Sequence, residues 1–253
     1  MRTTASLPVL AALRDRIQRL ERGAARRWSV LPFGIETIDR HLPESGLALG
    51  ALHEVAGGGN GAIDGAAAAL FTAGIAARTR GQVLWCVTRQ DLFAPTIAQA
   101  GLLPDRVVYV DADDEPSVLA CFEEGLRHGG LGAVVAEFAG LSMTASRRLQ
   151  IAAEGSGVIG IAIRRWRKLA EAAAFGQPTA AVTRWRVSAL PSTPLPVPGI
   201  GRPRRRLELI RCRGGESAVF EIEACDAIGR LALPANLVHG SGLDEFRQRR
   251  APC

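Results

Sequence analysis

Short apolar runs alternate with helical stretches through the first two thirds of this 253-residue chain, and few folds accommodate that order. The runs are Leu52-His53-Glu54-Val55, Val83-Leu84-Trp85-Cys86-Val87, Val107-Val108-Tyr109-Val110, Ala133-Val134-Val135-Ala136 and Val158 to Ile163. Helices are expected between them, near 65–79, 94–101, 116–127 and 143–153. Strands that are apolar on both faces belong to parallel sheets covered by helices on both sides. The pattern changes after residue 180. Arg184 to Ala189 and Val219 to Ala224 alternate polar and apolar residues, as antiparallel strands with one solvated face do. Gly214-Gly215 is a plausible turn between strands at 206–213 and 217–224. The reading is an α/β fold: a parallel sheet sandwiched by helices, extended by C-terminal antiparallel strands.

The first strand runs into Ala56-Gly57-Gly58-Gly59-Asn60-Gly61, followed by an Ala-rich helix. That order matches the phosphate loop of an ATPase core. Such a loop uses glycines so that backbone N–H groups can cradle phosphate, a lysine on the β/γ-phosphates and a Ser or Thr hydroxyl on Mg²⁺. Counted from Gly57, the lysine and hydroxyl offsets fall on Ile63 and Asp64; with Gly65 as the last glycine they fall on Ala66 and Ala67. The chain has one lysine, Lys168, among its 31 Lys and Arg residues, so no register supplies it. Glu137, not aspartate, follows the Val134-Val135-Ala136 run where a metal-holding carboxylate would stand. Thr88, Arg89 and Gln90 occupy the place of a water-activating glutamate. Phosphoryl transfer rests on positioning and charge, so these losses predict no ATPase activity, and Asp64 is expected to repel phosphate. Two readings of Gly57, Gly58, Gly59, Gly61 and Gly65 stay open: an anion-binding nest of backbone N–H groups, or a plain strand-to-helix turn. Glu137 is read as a degenerate metal position or as a strand-end carboxylate paired with an arginine.

The hydrophobic share of 47% supports a true core. Five scattered cysteines, never spaced as CxxC, point to a reducing compartment and away from a zinc site. Arginines at 14, 16, 19 and 22 interrupt any leader-like apolar stretch, and a soluble cytoplasmic protein without membrane association is expected. No cofactor and no metal are expected, because the four histidines form no ligand spacing. The net charge of +6 is compatible with nucleic acid or an acidic partner, and equally with a compositional bias toward arginine.

Residues 1–30 are read as an amphipathic helix and lead-in, with Leu10, Leu13, Ile17 and Leu20 on one face as a candidate interface. Residues 31–232 form the core with its antiparallel strands, and 233–253 a basic tail. Two clusters are candidates for DNA or partner binding. Arg164, Arg165, Trp166, Arg167 and Lys168 combine phosphate-neutralising cations with a base-stacking indole; the alternative is an apolar cover with solvated charges. Arg202, Arg204, Arg205 and Arg206 stand beside a proline-rich loop, where a solvated charge run is the alternative.

Several short segments, in this order and spacing, resemble the ImuA family, RecA-related accessory proteins of bacterial damage-induced mutagenesis. They are Phe33-Gly34-Ile35 with Ile38-Asp39, Gly46-Leu47, Gly50 to Val55, Ser146-Arg147-Arg148-Leu149-Gln150, Arg164-Arg165-Trp166, Trp185-Arg186-Val187, Leu207-Glu208-Leu209 and Arg213-Gly214-Gly215. The similarity spans about residues 7–225. It implies a RecA-like fold and a non-catalytic adaptor in SOS-induced translesion synthesis. The partners it implies are ImuB, a Y-family-like polymerase homologue, and an error-prone DNA polymerase of the α-subunit type, with RecA and single-stranded DNA as further candidates. Rival readings are a SulA-like division inhibitor that binds FtsZ, for which the strands after residue 180 have no obvious use, and a DNA-dependent ATPase, which the missing lysine opposes.

Overall fold

In the computed structural model the described residues are 29–59, 61–89, 91–165, 173–192, 199 and 201–234. The expected N-terminal helix with Leu10, Leu13, Ile17 and Leu20, the triplet Trp166, Arg167 and Lys168, and the tail from 235 onward lie outside them. Strands β3 (Leu52–Gly57), β4 (Val83–Val87), β5 (Val107–Asp111), β6 (Ala133–Phe138), β7 (Ile159–Arg164), β8 (Thr183–Leu190), β9 (Arg204–Cys212) and β10 (Ala218–Glu223) form one sheet in the order β10-β9-β8-β3-β7-β6-β4-β5. The six strands from β8 to β5 are mutually parallel, while β9 and β10 are antiparallel to their neighbours. A small antiparallel pair, β1 (Val30–Leu31) and β2 (Leu47–Ala48), precedes them. Two-residue strands carry no periodicity, so the sequence pattern does not reveal this pair.

Five helices are described: α1 (Glu36–Asp39), α2 (Gly61–Ala77), α3 (Ala94–Gln99), α4 (Glu115–His128) and α5 (Met143–Ser156). Alternation along the strands separates two cores. Val55, Trp85, Val135, Ile161, Trp185 and Val187 face α2 and α3, while Leu52, Cys86, Val134 and Ala162 meet Phe122 and Leu126 of α4 and Leu149 of α5. The helix ends are written in the sequence. Asp114 caps α4 by accepting from Ser117 N–H at 2.8 Å, and Ser142 caps α5 by accepting from Ala145 N–H at 3.1 Å. Gly129 and Gly157 close them at φ 74° and 81°, where a side chain would be strained.

The segment ahead of β2 is held by one carboxylate. Asp39 accepts from three successive backbone N–H groups, of Phe33 at 2.8 Å, Gly34 at 2.9 Å and Ile35 at 3.2 Å. This fixes the Phe33 ring against Phe71 and Trp185, with centroids 5.8 and 5.7 Å away.

Candidate functional site at the C-terminal edge of the sheet

Because the six central strands are parallel, their C-terminal ends gather on one edge. The chain leaves β3 for β4 on one side and later returns as β8 on the other, so the end of β3 is a topological switch point, where α/β sheets place their ligand crevice. Gly57 to Gly59 stand there. Helix α2 begins at Gly61, earlier than the sequence suggests, with Gly61 at φ 39°. Gly65 therefore belongs to the helix and not to the loop.

Two of the loop's donors, Gly58 and Gly59 N–H, are engaged within the protein. Gly58 N–H continues the β3–β8 pairing by donating to Val187 O at 2.9 Å. Gly59 N–H donates to Asp64 Oδ2 at 2.9 Å, and Ala189 N–H, at the end of β8, donates to Asp64 Oδ1 at 2.8 Å. Asp64 is 5% exposed. Its side chain is turned into the loop, one oxygen on Gly59 N–H and the other on Ala189 N–H. Arg205, opposite Ala189 on β9, lies within electrostatic reach. Burial draws its guanidinium below the ordinary value, and the charges of Cys225 and Asp64 act the other way.

On the second half of the edge, Glu137 is engaged by neighbouring side chains. Glu137 Oε1 accepts from Trp85 Nε1 at 2.8 Å, and Oε2 accepts from Arg165 Nη1 at 2.7 Å. The same guanidinium grips Asp91 with both ends, at 2.8 and 2.9 Å. Burial pushes the Glu137 carboxyl up, against the opposing pull of Arg165. Burial would lower Arg165, but Glu137 and Asp91 outweigh it and hold the cation above its ordinary range. A guanidinium thus covers the carboxylate that a metal would need.

Arg164 and Arg165 are adjacent yet serve opposite faces of the sheet. Arg164 is 2% exposed and is not available to DNA or a partner. Its Nη1 meets Glu54 Oε1 at 2.7 Å, and Nε and Nη2 donate to Ala139 O at 2.9 and 2.6 Å. Arg184 Nε lies 2.6 Å from Glu54 Oε2, which also accepts from Thr179 Oγ1 at 2.8 Å. Glu54 is thus sealed between two arginines and a hydroxyl. Arg184 and Thr179 were not singled out in the sequence, because only the β3–β8 register, with Glu54 opposite Arg184, reveals them.

The basic run also changes character. Arg204, Arg205 and Arg206 open β9 and do not form a free loop. Arg202 reaches Glu223 at 3.3 Å, Arg204 reaches Glu221 at 2.5 Å, and Arg206 reaches Glu208 at 3.1 Å. Arg186 of β8 shares Glu208 at 3.2 Å. What reads as a cationic patch is a mixed-charge sheet face. Among the described residues, no three His, Cys, Asp or Glu side chains gather as a metal site. No described helix is long and apolar enough to cross a membrane.

No protein-family model matches the chain. Two curated relatives do: Protein ImuA of Caulobacter vibrioides strain NA1000 / CB15N and Protein ImuA of strain CB 15, each 38% identical over 218 residues, covering 82% of this chain and 88% of the relative. The chain belongs to the ImuA family. Among solved structures, the RadB recombinase superposes with a TM-score of 0.53 over 76% of this chain and 95% of its own, at 15% identity. This establishes a RecA-like fold, as the sequence implied.

With the ImuA family in view, the segments that carry the resemblance have structural employment. Ser146 Oγ accepts from Ala180 N–H at 2.9 Å, and Gln150 Oε1 accepts from Leu52 N–H at 2.9 Å, latching α5 to the sheet. Gly215 is required by contact, since a Cβ there would fall 2.3 Å from His41 O.

Proposed function

We propose that this ImuA-family chain is a non-catalytic RecA-fold adaptor in damage-induced translesion synthesis. It binds an ImuB-type polymerase homologue and helps bring an error-prone DNA polymerase to damaged DNA. The observation that carries the non-catalytic half is the Arg165 guanidinium on Glu137, in a chain with no lysine at the loop. A catalytic site must bring phosphate donors and a metal to the same edge, and here Gly59 N–H is taken by Asp64 and Glu137 by Arg165. The adaptor half follows from membership of the family and from the β8–β10 extension. Its outer face pairs arginines with glutamates and exposes Val219 and Ile210. Charge matched in this way favours a protein partner over a polyphosphate backbone, which rewards uncompensated cations.

The test is affinity capture of the tagged full chain from cells treated with a DNA-damaging agent, read by mass spectrometry. Recovery of an ImuB-type protein and an error-prone polymerase is expected. Recovery of FtsZ without polymerase components would overturn the assignment.

A further inference from the structure

We propose that Asp64 is a built-in ligand of the glycine loop: its carboxylate occupies an oxyanion site of phosphate type and holds that site closed. The two oxygens bind different elements. Oδ2 takes Gly59 N–H in the loop, and Oδ1 takes Ala189 N–H at the end of β8. An acidic residue in a first helical turn ordinarily satisfies its own helix's leading amides. Asp64 also reaches five residues back and across to another strand.

The surroundings are shaped to this carboxylate. A Cβ on Gly58 would lie 2.8 Å from Asp64 Oδ2 and 2.1 Å from Ser188 Oγ. A Cβ on Gly57 would lie 2.9 Å from the Asp64 backbone carbon. Both glycines are therefore needed for the loop to wrap its own side chain. Arg205 adds a cation, and the amino end of α2 contributes its dipole. Two aimed N–H groups, a helix amino end and a guanidinium form an environment that calls for an anion. The contact also explains why loop and strand are joined: one carboxylate ties the start of α2 to β8.

Removing the carboxylate should leave those donors for a soluble oxyanion. The experiment follows thermal unfolding of the full chain in inorganic phosphate against chloride of matched ionic strength, for the parent, Asp64→Ala, Asp64→Asn and Asp64→Ala with Arg205→Ala. The parent gains nothing from phosphate beyond chloride. Asp64→Ala melts lower in chloride, and phosphate returns about 3 to 6 °C once it exceeds its dissociation constant roughly tenfold. The near-isosteric Asp64→Asn, which folds if the fold tolerates loss of the charge at all, shows a smaller gain of the same sign. Loss of Arg205 reduces the gain. A phosphate response equal to the parent's in both Asp64 variants overturns the proposal, as does a parent that responds as strongly as they do. Either result leaves the adaptor reading intact, because that reading is decided by the captured partners and not by the loop.

Discussion

Adjacent residues on a strand face opposite ways, and His53 and Glu54 show what that means when both are polar and buried. Glu54 goes to the arginine pair on the α5 side, and breaking such a pair from one end leaves an uncompensated charge worth about 3–5 kcal/mol. His53 goes the other way. Its Nε2–H donates to Ala48 O at 2.9 Å, and Nδ1 accepts from Thr183 Oγ1 at 2.7 Å, which in turn accepts from Trp185 Nε1 at 2.8 Å. That chain fixes the neutral imidazole with its proton on Nε2. Burial lowers the His53 pKa from 6.5 to about 4, the bond to Ala48 opposing only in part. The sign follows from linkage: between these values the unfolded chain binds the proton and the folded chain does not. Stability is therefore complete above pH 6.5 and falls as pH drops toward 4, by about 3 kcal/mol from this residue. Urea midpoints at pH 7 and pH 4.5 should show a steeper acid loss in the parent than in His53→Gln. Equal losses would mean that the imidazole is not the group that titrates.

At the scale of elements, the parallel sheet and its helices were legible because each signal is local. Apolar runs mark buried strands, Asp114 and Ser142 start helices, and Gly129 and Gly157 end them. The site was legible only in part. Glu137 could be singled out by its place after a strand, but its partner could not, because Arg164 and Arg165 are neighbours in sequence and separate only when β7 forms. The run from Arg202 to Arg206 misleads for a related reason. Its counter-charges at Glu221 and Glu223 arrive later in the chain, brought alongside by the β9–β10 register, which sets Glu221 opposite Arg206 and Glu223 opposite Arg204. Reversing Arg204 and Arg206 to Glu thus sets like charges across two strands. The expected cost is about 1 kcal/mol in all, modest because the pairs are partly solvated. Adding Glu221→Arg to the doubly reversed chain should recover part of it. Denaturation midpoints check this, and a doubly reversed chain as stable as the parent would show that the ladder contributes nothing.

The chain keeps a RecA-like architecture while the carboxylates at its C-terminal edge are engaged by the protein's own donors. Two carboxylates illustrate the substitution: Asp64 takes Gly59 N–H of the glycine loop, and Glu137 is clamped by Arg165. Hydrolysis of ATP depends on phosphate donors, metal and water-positioning groups acting together, so replacing one of them recovers little. This predicts no phosphate release above a blank from the purified chain, with or without single-stranded DNA. It predicts the same for Ile63→Lys, which puts a lysine at one loop offset where the parent side chain is exposed. The added ammonium would still face a loop occupied by Asp64 and a Glu137 already bound to Arg165. A colorimetric phosphate assay at millimolar ATP and Mg²⁺ decides the matter. Turnover by the parent that a substitution at Gly58 or Gly59 abolishes would show that the edge opens in solution, and that these ion pairs are a resting state of an enzyme and not its replacement.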